Sequence, residues 1–307
     1  MRTADKGKSL CYDSQETPTP QKLKENFFKV AELLHARPSF LMRRETGDRE
    51  GFRAKNIDLQ TGASLAKSLS VSCFSSVLLC KNGDASDCLM AAQVENAKTA
   101  TMPVTNAKGE LVYPGRSPGF ETGWRIPTPG QPLNALFADM PRYVGRQDAN
   151  WDMMTFDLET DLALALKNGG FIEASDPDLS KFKARGGKLL LYHGWADPGP
   201  APENTVNYVE AVNKKLGSKQ DDWMRLFLMP GVGHCSGGVG PDQADFLGVM
   251  ERWRESGIAP DQILATRGAG RGGQTPMSRP LCPFPQVARY TGSGSTDEAA
   301  NFRCVQP

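Results

Sequence analysis

The 307-residue sequence has almost no excess of charge of either sign: 36 Lys and Arg stand against 35 Asp and Glu, a net charge of +1. The charges are interspersed, which argues against nucleic acid or a membrane surface as a partner. No apolar run reaches the about 18 residues that a membrane span needs, and the opening MRTADKGKSLCYDSQ lacks the apolar segment of a secretory signal. The sequence also has no Cys-x-x-Cys pair and no cluster of histidine and cysteine. We therefore predict no zinc site, no membrane span and no export signal in the sequence as it stands.

The chain exceeds the usual size of one domain, which predicts either one large core with an inserted subdomain or two domains. It carries seven cysteines. Cys80 and Cys88 close a short polar loop, and Cys282 and Cys304 bracket a tail rich in Pro, Gly and Ser, a usage typical of disulfides in an oxidising compartment. The alternative is that several of them are buried, reduced thiols.

The amino-terminal third of the chain contains little that indicates chemistry. An amphipathic helix is predicted over residues 21–36, and no chemical motif appears before residue 72. From Cys73 to about residue 150 the chain is rich in Gly, Pro and Asn, with one short helix signal that Asp87 could cap. A second helix is predicted over residues 157–168 and ends at two glycines.

The strongest core signal comes next. GGKLLLYHGWADP contains a continuous apolar run that is typical of a buried parallel strand, and WMRLFLMPGVGHCSGG contains a second one. A helix of some 13 residues ending at Gly217 separates them, and a further helix follows at ADFLGVMERWRESG. Strand, helix, strand and helix in this order predict an α/β fold with a parallel sheet.

Chemistry in such sheets lies just beyond the carboxyl ends of the strands. Asp197 follows the first of the two strands and His234 follows the second. A carboxylate that orients an imidazole, and an imidazole that acts as base, form two members of a catalytic triad. Taken singly, Asp197 could instead cap backbone amides and His234 could be a turn residue. Their joint position at successive strand ends favours catalysis.

The nucleophile is harder to find. Ser236 lies two residues after His234 and is separated from its strand by Pro-Gly-Val-Gly, whereas an elbow serine leaves a strand directly. Cys235 is no better placed, and Ser64 lies in a Gly-x-Ser-x-Ala run without a preceding apolar strand. His193 is interpreted as a hydrogen-bonded core histidine. Trp195 could line a pocket mouth or belong to the core.

Several long stretches resemble the tannase and feruloyl esterase family: KARGGKLLLYHGWADP, RLFLMPGVGHCSGG, APDQILATR, RPLCPFPQVARYTGSGSTDEAANFRC, VLLCKNGDASDCLMAAQVENAK and NWDMMTFDLETDLALA. The family includes relatives that hydrolyse a terephthalate monoester, and the resemblance covers about residues 73–307. It implies an α/β-hydrolase with a lid inserted before the acid, cleaving small esters of aromatic acids. It also implies that Asp197 is the triad acid, His234 the base, and Cys235 half of a disulfide to the cysteine before the nucleophilic serine.

Three features of the family are missing or altered. The nucleophile stretch, which resembles Gly-Cys-Ser-x-Gly-Gly, is absent, and so is the Asp-rich calcium loop, so we expect no cofactor. Residues 1–72 stand where the first strands, the oxyanion hole and the serine are expected. Cys73 and Cys235 therefore lose their expected partners, and with Cys11 they stay unpaired. Pro200 stands where relatives carry an apolar side chain facing the acyl group, which leaves the acyl preference open.

Together these features predict the carboxyl-terminal part of a tannase-like or feruloyl-esterase-like hydrolase joined to an unrelated amino end. Residues 1–72 stay unassigned, residues 73–175 form a lid-like subdomain stapled by a disulfide, and residues 176–307 form part of the α/β-hydrolase sheet with a tail. Without the serine we expect weak or no esterase activity. A non-catalytic protein that binds aromatic acids and an unstable truncated remnant are the alternatives. The family and the cysteines predict a secreted or periplasmic protein.

Overall fold

The structure is a computed structural model that describes residues 79–116 except 82, 84, 86 and 87, residue 120, and residues 138–269 and 275–307. The helix predicted over residues 21–36, Ser64, Cys11 and Cys73 lie outside the described residues. Within the part of the chain that is described, no helix has both the length and the apolar character needed to cross a membrane.

Strand, helix, strand and helix follow one another from residue 189 to residue 256, as the sequence predicts, with a further strand of two residues before the last helix. In chain order the elements are α1 (Ala91–Thr101), β1 (Val104–Thr105), β2 (Leu111–Tyr113), a π-helix (Met140–Arg146), α2 (Leu158–Gly169), α3 (Ser180–Ala184), β3 (Leu189–Gly194), α4 (Pro202–Lys215), β4 (Met224–Met229), β5 (Gln243–Ala244), α5 (Phe246–Ser256), β6 (Ile263–Arg267), β7 (Met277–Leu281), β8 (Val287–Tyr290) and β9 (Phe302–Val305).

Strands β3 and β4 form the parallel pair that the two apolar runs predict. Their register runs from Leu189 opposite Met224 to Gly194 opposite Met229, so the two strands end at the same level. The connecting helix α4 begins with Pro202, whose missing N–H costs nothing in the first turn. Two lysines in its last turn are favourable beside the negative end of the helix dipole.

Side chains of this pair alternate between two helix layers, as the two-residue period of a strand requires. On one face, Leu226 packs with Val209 and Val212 of α4. On the other face, Phe227 and Met229 pack in one cluster with Val249 of α5. The sheet is thus covered on both sides, an arrangement typical of parallel α/β folds.

Strand β3 is less buried than predicted. Its apolar residues are only partly buried, and Tyr192 is 52% exposed although its ring stacks on that of Phe246. The cause is the pairing: among the described residues β3 pairs with β4 alone. Strand β4 is paired on both sides, because Phe227 also bridges to Pro283. The prediction of a buried strand is therefore correct for β4 and wrong for β3 within the described part of the chain.

The remaining strands pair antiparallel. Strand β5, just before α5, forms one sheet with β6 and β7, which follow α5, and β8 and β9 form another. Helix α5 ends at Gly257, whose φ of 73° is the left-handed conformation that glycine tolerates best. The predicted disulfide between Cys282 and Cys304 is present and ties the residue after β7 to β9.

A disulfide and a hydrogen bond at a helix start stabilise the first part of the described chain. The predicted disulfide between Cys80 and Cys88 is present. Helix α1 begins at Ala91, and Met90 rather than Asp87 occupies the cap position; Asp87 itself lies outside the described residues. The Met90 N–H donates to the side-chain oxygen of Gln93 at 2.7 Å, a contact that stabilises the start of the helix.

The π-helix was not predicted, whereas α2 matches its predicted position. Asp157 caps α2 by accepting the Thr160 N–H. A short ion pair between Arg146 and Asp161 joins the π-helix to α2, and the carboxylate of Asp161 is almost fully buried. The Arg146 guanidinium and then the Asp157 N–H lower the pKa of Asp161 below its ordinary value, although burial opposes them. The pair therefore fixes the packing of these two helices.

Candidate active site

The parallel pairing of β3 and β4 continues past the ends of the strands. The Trp195 N–H donates to the Met229 carbonyl at 2.9 Å, and the Ala196 N–H donates to the Val232 carbonyl at 2.9 Å. Gly194 allows this close approach, because a Cβ there would lie 2.5 Å from the Val232 carbonyl oxygen and closer still to that of Gly233. The loops that follow the two strands are therefore held side by side.

This arrangement brings Asp197 and His234 together. The Nδ1 of His234 lies 2.8 Å from Oδ2 of Asp197. The Asp197 side chain is only 3% exposed, whereas that of His234 is 61% exposed. The second oxygen of Asp197 accepts the Gly199 N–H at 2.7 Å. The carboxylate is thus buried and oriented, while the imidazole reaches the surface.

The hydrogen bond determines what the imidazole can do. An ionised carboxylate only accepts hydrogen bonds, so the bonded Nδ1 of His234 carries a proton. In a neutral imidazole this leaves the lone pair on Nε2. That Nε2 has no partner among the described residues, and it is free to take a proton from a hydroxyl or a water. The pair has the geometry of an acid that orients a base.

A second histidine also contacts the carboxylate. His193, in β3, places Nε2 at 3.3 Å from Oδ2 of Asp197 and Nδ1 at 2.7 Å from the Thr205 hydroxyl. The prediction of a hydrogen-bonded histidine is confirmed, but its partner is Asp197 itself, which the sequence reasoning missed. The signal was present in the alternation of β3: Leu189, Leu191 and His193 share the face that packs on α4.

Two residues from the segment before β3 reach the loop that follows Asp197. The Tyr113 hydroxyl donates to the Gly199 carbonyl at 2.8 Å and accepts the Ala201 N–H at 2.7 Å. The Arg116 side chain donates to the Pro198 carbonyl at 3.1 Å. Burial raises the pKa of the Tyr113 phenol above its ordinary value, and the Ala201 N–H only partly offsets this. No sequence pattern pointed to either residue.

The loop that carries His234 is bent tightly. Cys235 has a φ of 64°, an uncommon left-handed conformation for a residue with a Cβ. The Ser236 N–H donates to the His234 carbonyl at 2.8 Å, and the Gly233 N–H donates to the Gly237 carbonyl at 3.1 Å. Ser236 is exposed and follows this turn rather than a strand. It does not have the setting of an elbow serine.

The remaining candidate residues take no part in the contact between Asp197 and His234. Trp195 is 7% exposed, which resolves its two alternatives in favour of the core. Pro200 is exposed. Cys235 is an exposed free thiol within the described part of the chain, and the pairing that the resemblance implies for it stays a prediction. Ser64 lies outside the described residues.

No metal site accompanies the pair in the described ranges: no group of three or more His, Cys, Asp or Glu side chains there could hold an ion. The absence of the family's calcium loop stays a prediction from the sequence. A cavity of about 440 Å³ lies between the π-helix and α2, lined by apolar residues such as Val144, Leu162 and Ala165. None of its lining residues belongs to the Asp197 loop or the His234 loop.

Three comparisons place the chain among known proteins. It is 34% identical over 267 residues to the mono(2-hydroxyethyl) terephthalate hydrolase of Piscinibacter sakaiensis, covering 75% of this chain and 44% of the relative. It is 35% identical over 251 residues to feruloyl esterase C of Talaromyces stipitatus, covering 74% and 47%. The crystal structure of an esterase from Aspergillus oryzae superposes with a TM-score of 0.74 at 27% identity, covering 90% of this chain and 56% of that one.

The chain therefore spans about half the length of the relatives that it matches. The family description "Tannase and feruloyl esterase" matches residues 60–305, which includes residues 60–72 of the segment left unassigned above. The esterase neighbour also identifies the fold as α/β-hydrolase-like. With four-fifths of its length matched, the chain belongs to the tannase and feruloyl esterase family.

Proposed function

We propose that Asp197 and His234 are the acid and base of a serine-esterase triad that hydrolyses esters of aromatic acids. The observation that carries this proposal is the 2.8 Å hydrogen bond between Nδ1 of His234 and the buried carboxylate of Asp197, at the ends of adjacent parallel strands. In this role Asp197 holds the imidazole in the required tautomer and stabilises the imidazolium that forms. His234 takes the nucleophile's proton at Nε2 and later returns it to the leaving alcohol.

The aromatic acyl group is proposed from the relatives. One is named for a terephthalate monoester and another for feruloyl esters, and both acids are aromatic. Small aromatic esters are therefore the proposed substrates. Pro200 is exposed in the loop after Asp197. By the resemblance to the family, it stands where relatives carry the side chain that faces the acyl group, so we propose that it influences the acyl preference.

The nucleophile is the missing member of this triad. The 307 residues contain no Gly-Cys-Ser-x-Gly-Gly stretch, and they cover less than half of the matched relatives' length. We propose that the serine belongs to the amino half of the family's fold and that the present polypeptide alone has weak or no esterase activity. The edge of β3 that pairs with no described strand supports a sheet that is only part of the hydrolase sheet.

Two further elements belong to the same proposal. Residues 73–175 act as a lid, which is supported by the reach of Tyr113 and Arg116 to the loop after Asp197. The protein works in a secreted or periplasmic compartment, which is supported by the two disulfides. No cofactor is proposed.

The test compares the chain alone with a chimera that joins the amino half of feruloyl esterase C from Talaromyces stipitatus to residues 60–307. With a nitrophenyl ester and with methyl ferulate, the chain alone should show little or no turnover above buffer. The folded chimera should hydrolyse both, and Asp197→Asn should lower kcat by about 10⁴-fold, the loss seen when a triad carboxylate is neutralised. Ser236→Ala is the matched control and should leave turnover unchanged.

Two results would contradict the proposal. Turnover by the chain alone that His234→Ala abolishes would show that the nucleophile is present after all, and loss of that turnover in Ser236→Ala would identify it. A folded chimera whose turnover does not respond to His234→Ala would remove the base from the mechanism.

A further inference from the structure

Two imidazoles, those of His234 and His193, contact the carboxylate of Asp197. Its Oδ2 lies 2.8 Å from Nδ1 of His234 and 3.3 Å from Nε2 of His193. We infer that His193, held by the hydroxyl of Thr205, is a positioning residue that fixes the carboxylate of Asp197 toward His234. This inference rests on the proposed role of the Asp197–His234 pair, since it assigns a support to that pair.

The chemistry of the three groups determines where the protons lie. The carboxylate is an acceptor only, so Nε2 of His193 carries the proton in their hydrogen bond. A hydroxyl can both donate and accept. If His193 is neutral, its Nδ1 is an acceptor and the Thr205 hydroxyl donates to it over 2.7 Å. The chain of contacts then runs from the Thr205 O–H to His193, and from the His193 Nε2–H to Asp197.

A neutral His193 suits the proposed reaction. The carboxylate has to stabilise one positive charge, the imidazolium that forms on His234. A second imidazolium on the same oxygen would compete for that negative charge, whereas a neutral N–H donor only orients it. The longer distance to His193 agrees with this division, because at 3.3 Å an N–H···O bond is weak and His234 keeps the shorter one.

The fold explains why this support is rigid. His193 lies on the face of β3 that packs against α4, and Thr205 lies in the first turn of that helix. The Asp197 carboxylate is 3% exposed, so water does not readily replace a lost donor. Gly199 occupies the other oxygen. Removing His193 leaves Oδ2 with His234 as its single donor among the described residues, so the position of that oxygen is less firmly fixed.

The first test reads the tautomer directly. The chain has only three histidines, so the ring nitrogens of the ¹⁵N-labelled full chain can be assigned from single substitutions. Long-range ¹H–¹⁵N spectra at neutral pH should show His193 protonated at Nε2 and unprotonated at Nδ1. Thr205→Val should keep this tautomer, because Asp197 still accepts from Nε2, but should speed solvent exchange of the Nε2 proton, and Thr205→Ser should restore slow exchange. An Nδ1-protonated His193, or an exchange rate that Thr205→Val leaves unchanged, would overturn the inference.

The second test reads the effect on the pair. His193→Leu should speed solvent exchange of the Nδ1 proton of His234 by about tenfold, the low end of the range for a hydrogen bond to a charged group, because the bond of 3.3 Å is long. His193→Gln should restore slow exchange, because its side-chain amide can still donate to Asp197. Equal exchange in the wild type and in folded His193→Leu would refute the positioning role.

Neither measurement depends on turnover. If His234 proves dispensable for hydrolysis in the chimera while these spectra behave as expected, the proposed function fails and the structural support stands. The opposite pair of outcomes leaves the esterase proposal intact and removes His193 from it.

Discussion

Tyr113→Phe tests how strongly the segment before β3 holds the loop that follows Asp197, and it removes a single oxygen atom. The phenol oxygen of Tyr113 accepts the Ala201 N–H at 2.7 Å and donates to the Gly199 carbonyl at 2.8 Å. The same Gly199 donates its N–H to Asp197. Phenylalanine keeps the ring and removes only the oxygen, so both hydrogen bonds disappear while the packing is retained.

The cost follows from the burial of the two abandoned groups. Ala201 is fully buried, so its N–H loses its partner without access to water. Gly199 is half-buried, and water can replace part of the lost bond to its carbonyl. An unsatisfied buried group costs about 1–3 kcal/mol, so we expect the free energy of unfolding to fall by about 3 kcal/mol in total.

Urea unfolding followed by tryptophan fluorescence measures this loss. Tyr290→Phe is the matched control, because its phenol also donates to a backbone carbonyl, that of Gly294, but in an exposed position. The control should stay within about 0.5 kcal/mol of the wild type. If Tyr113→Phe also stays within that range, the Tyr113 hydroxyl does not anchor the loop that follows Asp197 and the reasoning is refuted.

Tyr113 also makes the free energy of unfolding depend on pH. Burial raises the pKa of Tyr113, so the unfolded chain releases this proton at a lower pH than the folded chain. Its contribution to stability is complete below the ordinary tyrosine pKa of about 10 and is lost as the pH rises toward the raised value. Tyr113→Phe should therefore lose less stability than the wild type between neutral and alkaline pH, and equal losses would contradict this.

Three other substitutions test further features. Gly194→Ala should separate the strand ends and remove the low-field Nδ1 proton signal of His234 from NMR spectra, whereas Gly268→Ala, with open space at its Cβ, should not. Asp161→Asn should make the free energy of unfolding depend less on pH below about pH 4. Because the pKa of Asp161 is lowered in the fold, its charge stabilises the fold above about pH 4, and this contribution is lost as the pH falls through the lowered pKa. Replacing Cys282 and Cys304 with alanine should cost about 3.4 kcal/mol in urea unfolding, from the entropy of the 22-residue separation that the disulfide closes.

Local signals account for the parts of the structure that the sequence predicts. The two apolar runs predict the strands β3 and β4, and the helical patterns predict α2, α4 and α5; these signals act through neighbours within a few positions, and each of these elements is present. Adjacent parallel strands carry their carboxyl ends to the same edge of a sheet, so the proximity of Asp197 and His234 is also predictable. The esterase role of these two residues still rests on the proposal above and its chimera test.

The supports of the site are not predictable in the same way. Tyr113 reaches a carbonyl 86 positions away, and the position of its strand depends on the packing of a segment without periodicity. His193 is predicted to be hydrogen-bonded, but the identity of its partners depends on how α4 lies against β3. Hydrogen bonds between distant elements are determined by tertiary register, which no window of sequence contains.

The distribution of these supports distinguishes the two members of the pair. Contacts from β2, from β3 and through His193 from α4 converge on the loop that carries Asp197. His234 is held by the bonds of its own glycine-rich loop and by Asp197, and its ring remains 61% exposed. The carboxylate of Asp197 is thus held on both oxygens within the described residues, while the open side of His234 is its Nε2. In the proposed triad, a nucleophile from the amino half of the family's fold has to reach only that one nitrogen.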